Sequence, residues 1–353
     1  MTDLQRTFRV TRWVQETADT RSYWLEPTDQ QPVPFRPGQF LTLLVPFHGH
    51  EARRSYSISS LPAEGLRITI KRVANGDISR YLLDTLTEGD LVSSLPPAGR
   101  FVLDTQPAGP ARDILLFGAG SGITPLLPLI RQALTDEPQS RVTLLYSNPR
   151  ASGIIFRDEL NQLHQAYPDQ FRLLYVLSRS EPDEALPKGT VLPGRMSNTR
   201  LETMLPTLLH HDRAHARVFI CGPADYMRMV QFTLLVSGMQ AGQLRRENFV
   251  VEPLPKTPAP VRAQDRTVRL RLPDREVDIE VPAYVSILQA ALDAGIRLPY
   301  SCRGGRCSSC AARCTAGRVQ MTINDVLTER DLAEGWVLTC TGYPDTDGVV
   351  IEV

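Results

Sequence analysis

Lysine is nearly absent from this chain of 353 residues: Lys71, Lys188 and Lys256 are the only ones among 39 basic side chains. A surplus of either charge is also lacking, since Asp and Glu total 39 and the formal net charge is zero. Nucleic-acid binders usually show a basic excess, so the balance argues against that class. The arginine bias is compositional and carries no function. Long apolar runs are missing too. The most apolar stretch, Ile114 to Ile130, is broken by three glycines and two prolines and is not expected to span a bilayer. Met1 to Arg6 hold no apolar core of a signal peptide. A cytoplasmic protein is expected, without stable membrane insertion, and as a monomer rather than an obligate oligomer. No Ser–His–Asp or paired-carboxylate pattern stands out, and His210-His211-x3-His215 has no carboxylate spacing to make it a metal site.

What is present is unevenly distributed. Of six cysteines, Cys221 stands alone, while Cys302, Cys307, Cys310, Cys314 and Cys340 crowd the last 52 residues. A secreted disulfide scaffold would be shorter and more uniformly cysteine-rich, so the cluster points to a metal site.

The chain reads as three parts and a spacer. Residues 1–108 hold short alternating strands such as Phe40 to Val45 and Leu66 to Ile70, separated by turn signals at Pro37-Gly38, Asn75-Gly76 and Pro97-Ala98-Gly99. That pattern suits an antiparallel β-barrel. Residues 109–252 alternate apolar strands (Ile114 to Phe117, Val142 to Tyr146, Leu173 to Leu177, Val218 to Cys221) with helices, the pattern of a parallel α/β sheet. Residues 253–264 are proline-rich, with four prolines between Pro253 and Pro260, and read as a stiff linker. In residues 265–353 a hairpin is followed by a helix capped by Ser286 and ended by Gly295, and then by the cysteine loop.

Cys302-x4-Cys307-x2-Cys310, with Cys340 after 29 further residues, has the plant-type spacing of a [2Fe–2S] cluster. The chain must wrap closely around the inorganic sulfides, and Gly304, Gly305, Ser308 and Ser309 supply the small residues this requires. The competing reading is a structural zinc site, but such sites more often pair two short C-x2-C knuckles and only one is present. Cys314 falls outside the spacing and reads as a small packed residue. In the first part, Arg54-Ser55-Tyr56-Ser57 offers a cation for a flavin phosphate, an aromatic face for its ring and a donor near N5. Gly76-Asp77-Ile78-Ser79 puts a glycine and a hydroxyl before a helix, as a pyrophosphate requires, and Lys71 joins this cofactor set. In the second part, Gly118-Ala119-Gly120-Ser121-Gly122-Ile123-Thr124-Pro125 runs from a strand into a helix, either a nucleotide loop or a tight turn. Cys221-Gly222-Pro223 ends a strand, where ligands of open α/β sheets lie; Cys221 is a nicotinamide contact or a small buried residue.

Taken together and in order, these motifs resemble the ferredoxin–NADP reductase superfamily, and more narrowly its oxygenase-reductase members with a C-terminal plant-type ferredoxin. Reductases of phenylacetyl-CoA epoxidase, of several Rieske-type oxygenases and of the hybrid cluster protein are of this kind. The resemblance covers nearly the whole chain and implies a β-barrel flavin domain, a parallel α/β nucleotide domain and a β-grasp ferredoxin domain. It implies that Arg54 binds the flavin phosphate, Tyr56 stacks on the ring and Ser57 sits near N5. By the same resemblance, Gly76, Ile78 and Ser79 form the pyrophosphate turn, and Gly118, Gly120 and Thr124 the nicotinamide-nucleotide loop. Cys221 would lie beside the nicotinamide and Phe249 near the flavin's other face, so Ser57, Thr124 and Cys221 are the expected catalytic set. Cys302, Cys307, Cys310 and Cys340 would hold the cluster. The Pro97 to Phe101 segment looks like that of members with FAD rather than FMN. Arg303 and Arg306 depart from the family by placing two cations in the cluster loop, to favour its reduced form or to meet an acidic partner.

The implied activity is an NAD(P)H-dependent reductase passing electrons through FAD to a [2Fe–2S] cluster, and on to a terminal oxygenase or another one-electron acceptor. Nicotinamide delivers electrons in pairs and metal centres accept them singly, so a flavin between them reconciles the two. The second strand ends without an acidic residue for a ribose hydroxyl, and Ser178-Arg179 is similar to the pair that holds a 2′-phosphate. Arg150 or Arg179 could grip that phosphate, which favours NADPH over NADH, although surface arginines abound in this chain. The alternative is a stand-alone flavin reductase, or diaphorase, with a zinc-stabilised or redox-sensing C-terminal module.

Overall fold

The computed structural model describes residues 5–74, 76–180, 186–249 and 264–353. Most of the proline-rich spacer, and Asn75 of the Asn75-Gly76 turn, lie outside the described residues.

The first unit is a six-stranded antiparallel sheet of β1 (Arg6–Thr17), β2 (Thr20–Pro27), β3 (Phe40–Phe47), β4 (His50–Ser57), β5 (Leu66–Lys71) and, after helix α1 (Asp77–Thr85), β6 (Leu91–Ser94). The order is β4-β3-β6-β1-β2-β5. An antiparallel bridge between Ile58 and Ile68 joins its two edges, so the sheet closes into the expected barrel. Alternate residues point inward, and Phe8, Val10, Tyr23, Leu41, Leu43, Ile68 and Ile70 form the interior with Ile78 and Leu82 of α1 packed on it.

The second unit contains β7 (Asp113–Ala119), α2 (Ile123–Asp136), β8 (Arg141–Asn148), α3 (Arg157–Ala166), β9 (Phe171–Leu177), β10 (Val191–Pro193), α4 (Asn198–Leu208), β11 (Arg217–Cys221), α5 (Ala224–Val236) and β12 (Leu244–Glu247). Its strands are parallel in the order β10-β9-β8-β7-β11-β12. Both faces of the sheet are covered, which is why β7 is apolar from Ile114 to Phe117: Ile114 and Leu116 pack among α2 and α3 residues, Leu115 and Phe117 among those of α4 and α5. Chain direction across the sheet reverses between β7 and β11, and that crevice is where ligands of such folds bind.

The third unit runs through β13 (Arg266–Arg271), β14 (Glu276–Val281), α6 (Ile287–Asp293), β15 (Ala311–Ala316), β16 (Val319–Met321), α7 (Glu329–Ala333), β17 (Trp336–Leu338), β18 (Gly342–Pro344) and β19 (Val349–Glu352). The main sheet has the order β14-β13-β19-β15-β17, with β13 and β19 parallel, and α6 packs across it in the β-grasp manner. Ser286 caps α6 by accepting from the Gln289 N–H, and Gly295 at φ +74° turns the chain away, both as the sequence suggests. Among the described residues no helix is long and apolar enough to cross a membrane.

Candidate electron-transfer site

Strand β4 of the first unit touches both of the other units. Its register on β3 sets Leu43 opposite Arg54 and Leu41 opposite Tyr56, so Arg54 and Tyr56 share one face and Ser55 and Ser57 the other. Arg54 and Tyr56 are both half-buried. Among the described residues the Arg54 guanidinium bonds its neighbour's carbonyl, Nη1 to Arg53 O at 2.8 Å, and keeps other donors for an anion. Ser57 is buried and donates to Oε2 of Glu247 at 3.3 Å. Two residues earlier, the Ser55 hydroxyl donates to Ser301 Oγ at 3.1 Å, beside the first cluster cysteine.

Around the first turn of α1, glycine is required at position 76, where a Cβ would fall 2.7 Å from Ser79 Oγ and 2.9 Å from Val73 Cβ. The Ser79 hydroxyl braces this turn, donating to Gly76 O and accepting from Val73 N, and Ile78 faces the barrel interior. What the turn offers a pyrophosphate is therefore its backbone N–H groups and the positive end of α1. Lys71 is engaged elsewhere: its ammonium pairs with Asp19 at 2.8 Å.

The carboxyl ends of the parallel strands carry the second half of the site. Cys221 on β11 pairs in register with Gly118 on β7 and with Glu247 on β12, so the three stand in one row across the sheet. Cys221 is fully buried; burial pushes its thiol up, and the charge of Glu247 adds to the effect. Glu247, also buried, has its carboxyl pushed up to about 8, burial outweighing the hydrogen bond from Ser57. Gly120 takes φ +55°, and its carbonyl accepts from the Tyr146 hydroxyl at 2.8 Å. Thr124 is buried, with its hydroxyl bonded to Ser121 O at 3.0 Å. Gly122 is the tightest point of the loop, because a Cβ there would lie 2.0 Å from the Cys221 carbonyl oxygen. Gly122→Ala is accordingly expected to push the β7 loop off β11, at the roughly 1–3 kcal/mol typical of overpacking. FAD content should be retained while nucleotide-driven flavin bleaching is lost; unchanged bleaching would contradict this placement.

The same crevice holds unsatisfied groups suited to a nucleotide. The Ser147 hydroxyl and the Tyr226 phenol lie against each other at the ends of β8 and the start of α5. Both are buried without a well-formed hydrogen bond among the described residues. Ser178 and Arg179 are tied by their N–H groups to Asn148 O and Pro149 O, at 3.1 and 2.8 Å, which fixes the β9 tip beside the β8 tip. Arg179 is exposed there. Phe249, two residues past Glu247, is 37% exposed and free to cover a bound group.

In the cysteine loop the thiols act on one another most strongly in two pairs, Cys302 with Cys307 and Cys310 with Cys340. Two thiols per iron is the division a [2Fe–2S] cluster demands. Backbone N–H groups converge on the sulfurs: Gly304 N reaches Cys302 Sγ at 3.4 Å and Cys302 N reaches Cys307 Sγ at 3.5 Å. Gly305, at φ +71°, has no room for a side chain, since a Cβ would be 2.5 Å from Ile323 O. Arg306 is neutralised by Asp325 at 3.3 Å, and Arg303 stacks on Tyr300 at 4.4 Å. Cys314 sits apart on β15, donating to Ala316 O.

Sequence patterns single out candidate flavin, nucleotide-loop and cluster residues, and the structure brings strand β4 against both the carboxyl end of β12 and the start of the cysteine loop. They do not single out Glu247, whose meeting with Ser57 spans 190 residues, or the close approach at Gly122. A carboxylate at a strand's end was the one available signal.

Comparison with known proteins finds three domain families along the chain. Residues 7–103 match the family of oxidoreductase FAD-binding domains, residues 116–232 that of oxidoreductase NAD-binding domains, and residues 271–345 that of 2Fe-2S iron-sulfur cluster binding domains. The chain is 36% identical over 327 residues to a component of 1,2-phenylacetyl-CoA epoxidase of Escherichia coli (strain K12), covering 92% of this chain and 90% of that protein. It is 35% identical to the ferredoxin reductase component of 3-ketosteroid-9-alpha-monooxygenase of Mycobacterium tuberculosis, covering 96% of this chain and 93% of the relative. Among solved structures, phthalate dioxygenase reductase aligns with a TM-score of 0.58 at 25% identity, over 98% of this chain and 97% of that one. The C-terminal module is thus an iron–sulfur domain rather than a zinc appendage, and the protein is an NAD(P)H oxidoreductase with FAD and a [2Fe–2S] cluster. The chain belongs to the ferredoxin–NADP reductase superfamily, among the oxygenase reductases that carry a C-terminal plant-type [2Fe–2S] ferredoxin domain.

Proposed function

We propose that this chain is the cytoplasmic, monomeric reductase component of an oxygenase system, drawing on NADPH in preference to NADH and delivering single electrons to the terminal oxygenase. One observation carries the reading: within three residues of β4, Ser57 touches the nucleotide sheet through Glu247 and Ser55 touches the cluster loop through Ser301. Both contacts flank Tyr56. FAD, when bound, accepts electrons in pairs and gives them up singly to the cluster.

The residues divide the remaining work. Arg54 and the first-turn N–H groups of α1, from Gly76 to Ser79, hold the flavin's phosphates, and Lys71 shapes that end of the site by anchoring the β1–β2 turn through Asp19. Tyr56 and Phe249 bracket the ring. Gly118, Gly120 and Thr124 admit the nicotinamide half of the nucleotide, and buried Cys221 packs beside it. Ser57 and Glu247 hold a proton next to the ring, since Glu247 is protonated at neutral pH with its carboxyl near 8. Cys302, Cys307, Cys310 and Cys340 hold the cluster. A reducing cytoplasm suits the six free cysteines.

Ser178 and exposed Arg179 receive the nucleotide's 2′-phosphate. Arg179→Ala is expected to raise KM for NADPH by about 10- to 100-fold, the worth of a charge-assisted hydrogen bond, and to leave KM for NADH unchanged. Steady-state kinetics with both nucleotides decides it. An equal effect on both would remove Arg179 from the phosphate site.

A further inference from the structure

One buried carboxylate of the cluster-bearing unit takes arginines from both of the other units. Asp331 on α7 is 1% exposed, and a carboxylate in that position has to be fully paired. Its Oδ1 accepts from Arg100 twice, from Nε at 2.9 Å and from Nη2. Its Oδ2 accepts the Thr328 N–H at 2.8 Å and the Thr328 hydroxyl at 2.7 Å, and lies 3.5 Å from Nη1 of Arg245. Burial works against the ionised form, but these bonds outweigh it and keep the carboxyl below its ordinary value. Arg100 follows the last barrel strand, while Arg245 sits on β12, two residues before Glu247. An arginine from each of the other units therefore converges on one carboxylate of the third. Arg100 is fixed further by stacking on Trp336, 4.0 Å away.

The other end of the contact is lighter. There Ser55 meets Ser301, and Arg53 stacks on Tyr300 at 3.9 Å. Such contacts are worth on the order of 1 kcal/mol each, less than desolvated charge-assisted bonds. Between the two ends lies a cleft of about 530 Å³ bordered by Thr42, Ser308, Ser309 and Trp336. Among the described residues, three weaker contacts join the units besides these two ends: Arg330 to Asp104 at 3.6 Å, Arg100 to Glu334 at 3.6 Å, and Arg246 Nη2 to Asp325 O at 3.4 Å. Asp331 alone among these groups is a buried carboxylate, so the grip on it is the one that fixes how closely Ser301 and Cys302 approach β4.

We propose that Asp331 is the clasp that holds the cluster-bearing domain in its electron-accepting position, by gathering Arg100 and Arg245 on one carboxylate. It is a positioning residue and does no chemistry. Electron passage from the β4 site to the cysteine loop depends on it; reduction of the flavin by nucleotide does not. The inference rests on the electron route described above, but amide exchange tests the clasp independently of that route.

The experiment compares the loaded full-length chain with its Asp331→Asn, Arg100→Gln, double and Thr328→Ala variants. Hydrogen–deuterium exchange is read at residues 98–101 and 300–303, and stopped-flow absorption separates flavin bleaching from cluster reduction. Asp331→Asn and Arg100→Gln should each speed exchange in both segments by on the order of tenfold or more, and slow cluster reduction with flavin bleaching unchanged. The double variant should be no worse than Asp331→Asn, because both act through one contact. Thr328→Ala, which removes the helix cap and leaves both arginines in place, should resemble the parent. Unaltered exchange in Asp331→Asn would overturn the proposal, as would a Thr328→Ala phenotype equal to it, which would make Asp331 merely a cap for α7. Faster exchange with normal cluster reduction would keep the clasp but refute its electron-transfer role.

Discussion

Replacing Cys310 with serine is expected to close the one-electron outlet of this protein and leave its two-electron inlet working. Cys310 is buried in the ferredoxin-type core, where Cys340 is the group that acts most strongly on its thiol. Serine keeps the size of the side chain while replacing a thiolate with a poor ligand. Changes one shell away from a metal already cost about 10- to 100-fold in metal affinity, and loss of a ligand costs more. Iron and acid-labile sulfide should fall to background, and reduction of a one-electron protein acceptor should fall with them. Bleaching of the flavin by NADPH should continue at its original rate, because Ser57, Cys221 and Glu247 lie on other units. A serine variant that still passed electrons singly to a protein acceptor would show that the cluster is not the exit.

The second large effect concerns Glu247. Its carboxyl is pushed from 4.5 to about 8 by burial, so between those values the folded chain holds a proton that the unfolded chain has released. The stabilisation is fully present below pH 4.5 and is lost as pH rises through about 8. Across that span the contribution is about 4 kcal/mol, each tenfold change in proton affinity being worth about 1.4 kcal/mol. Glu247→Gln keeps the shape and an acceptor for Ser57 but cannot ionise. Denaturant unfolding of the FAD-free chain at pH 5 and pH 8 should show wild-type stability falling by that amount relative to the variant. In the loaded enzyme, the variant should also lose the limb of the flavin-reduction profile near pH 8 and retain nucleotide binding. Parallel stability curves would show that Glu247 is ionised in the fold, and the proton-holding role would fail with it.

Much of this site was legible because the chemistry that needs it is local. The plant-type [2Fe–2S] spacing draws three ligands from one loop, so the candidate ligands Cys302, Cys307 and Cys310 are close in sequence, and Cys340 alone of the four comes from afar. The glycine run from Gly118 was legible for the same reason: a strand, a turn and a helix N-terminus are consecutive pieces of chain. So was α6, whose cap at Ser286 and stop at Gly295 are properties of single residues. Glu247, Gly122 and Asp331 were not legible, because each acquires its meaning from a partner elsewhere. Glu247 is an ordinary acidic residue until β12 pairs with β11 and places it beside Cys221. Gly122 looks like one more loop glycine until the Cys221 carbonyl is found in the space its side chain would fill. Ser79 shows the converse case: its hydroxyl stood out as a phosphate donor, yet it is spent on bracing the turn around Gly76.

The most direct test of the electron path is an anaerobic titration of the intact, loaded protein with NADPH and, separately, with NADH. Visible absorption follows the flavin, and low-temperature electron paramagnetic resonance follows the cluster. Sub-stoichiometric NADPH should bleach the flavin and bring up a rhombic [2Fe–2S] signal in the same sample, with NADH needing higher concentrations to do so. A flavin that bleaches fully while no cluster signal ever appears would contradict the path from β4 to the cysteine loop.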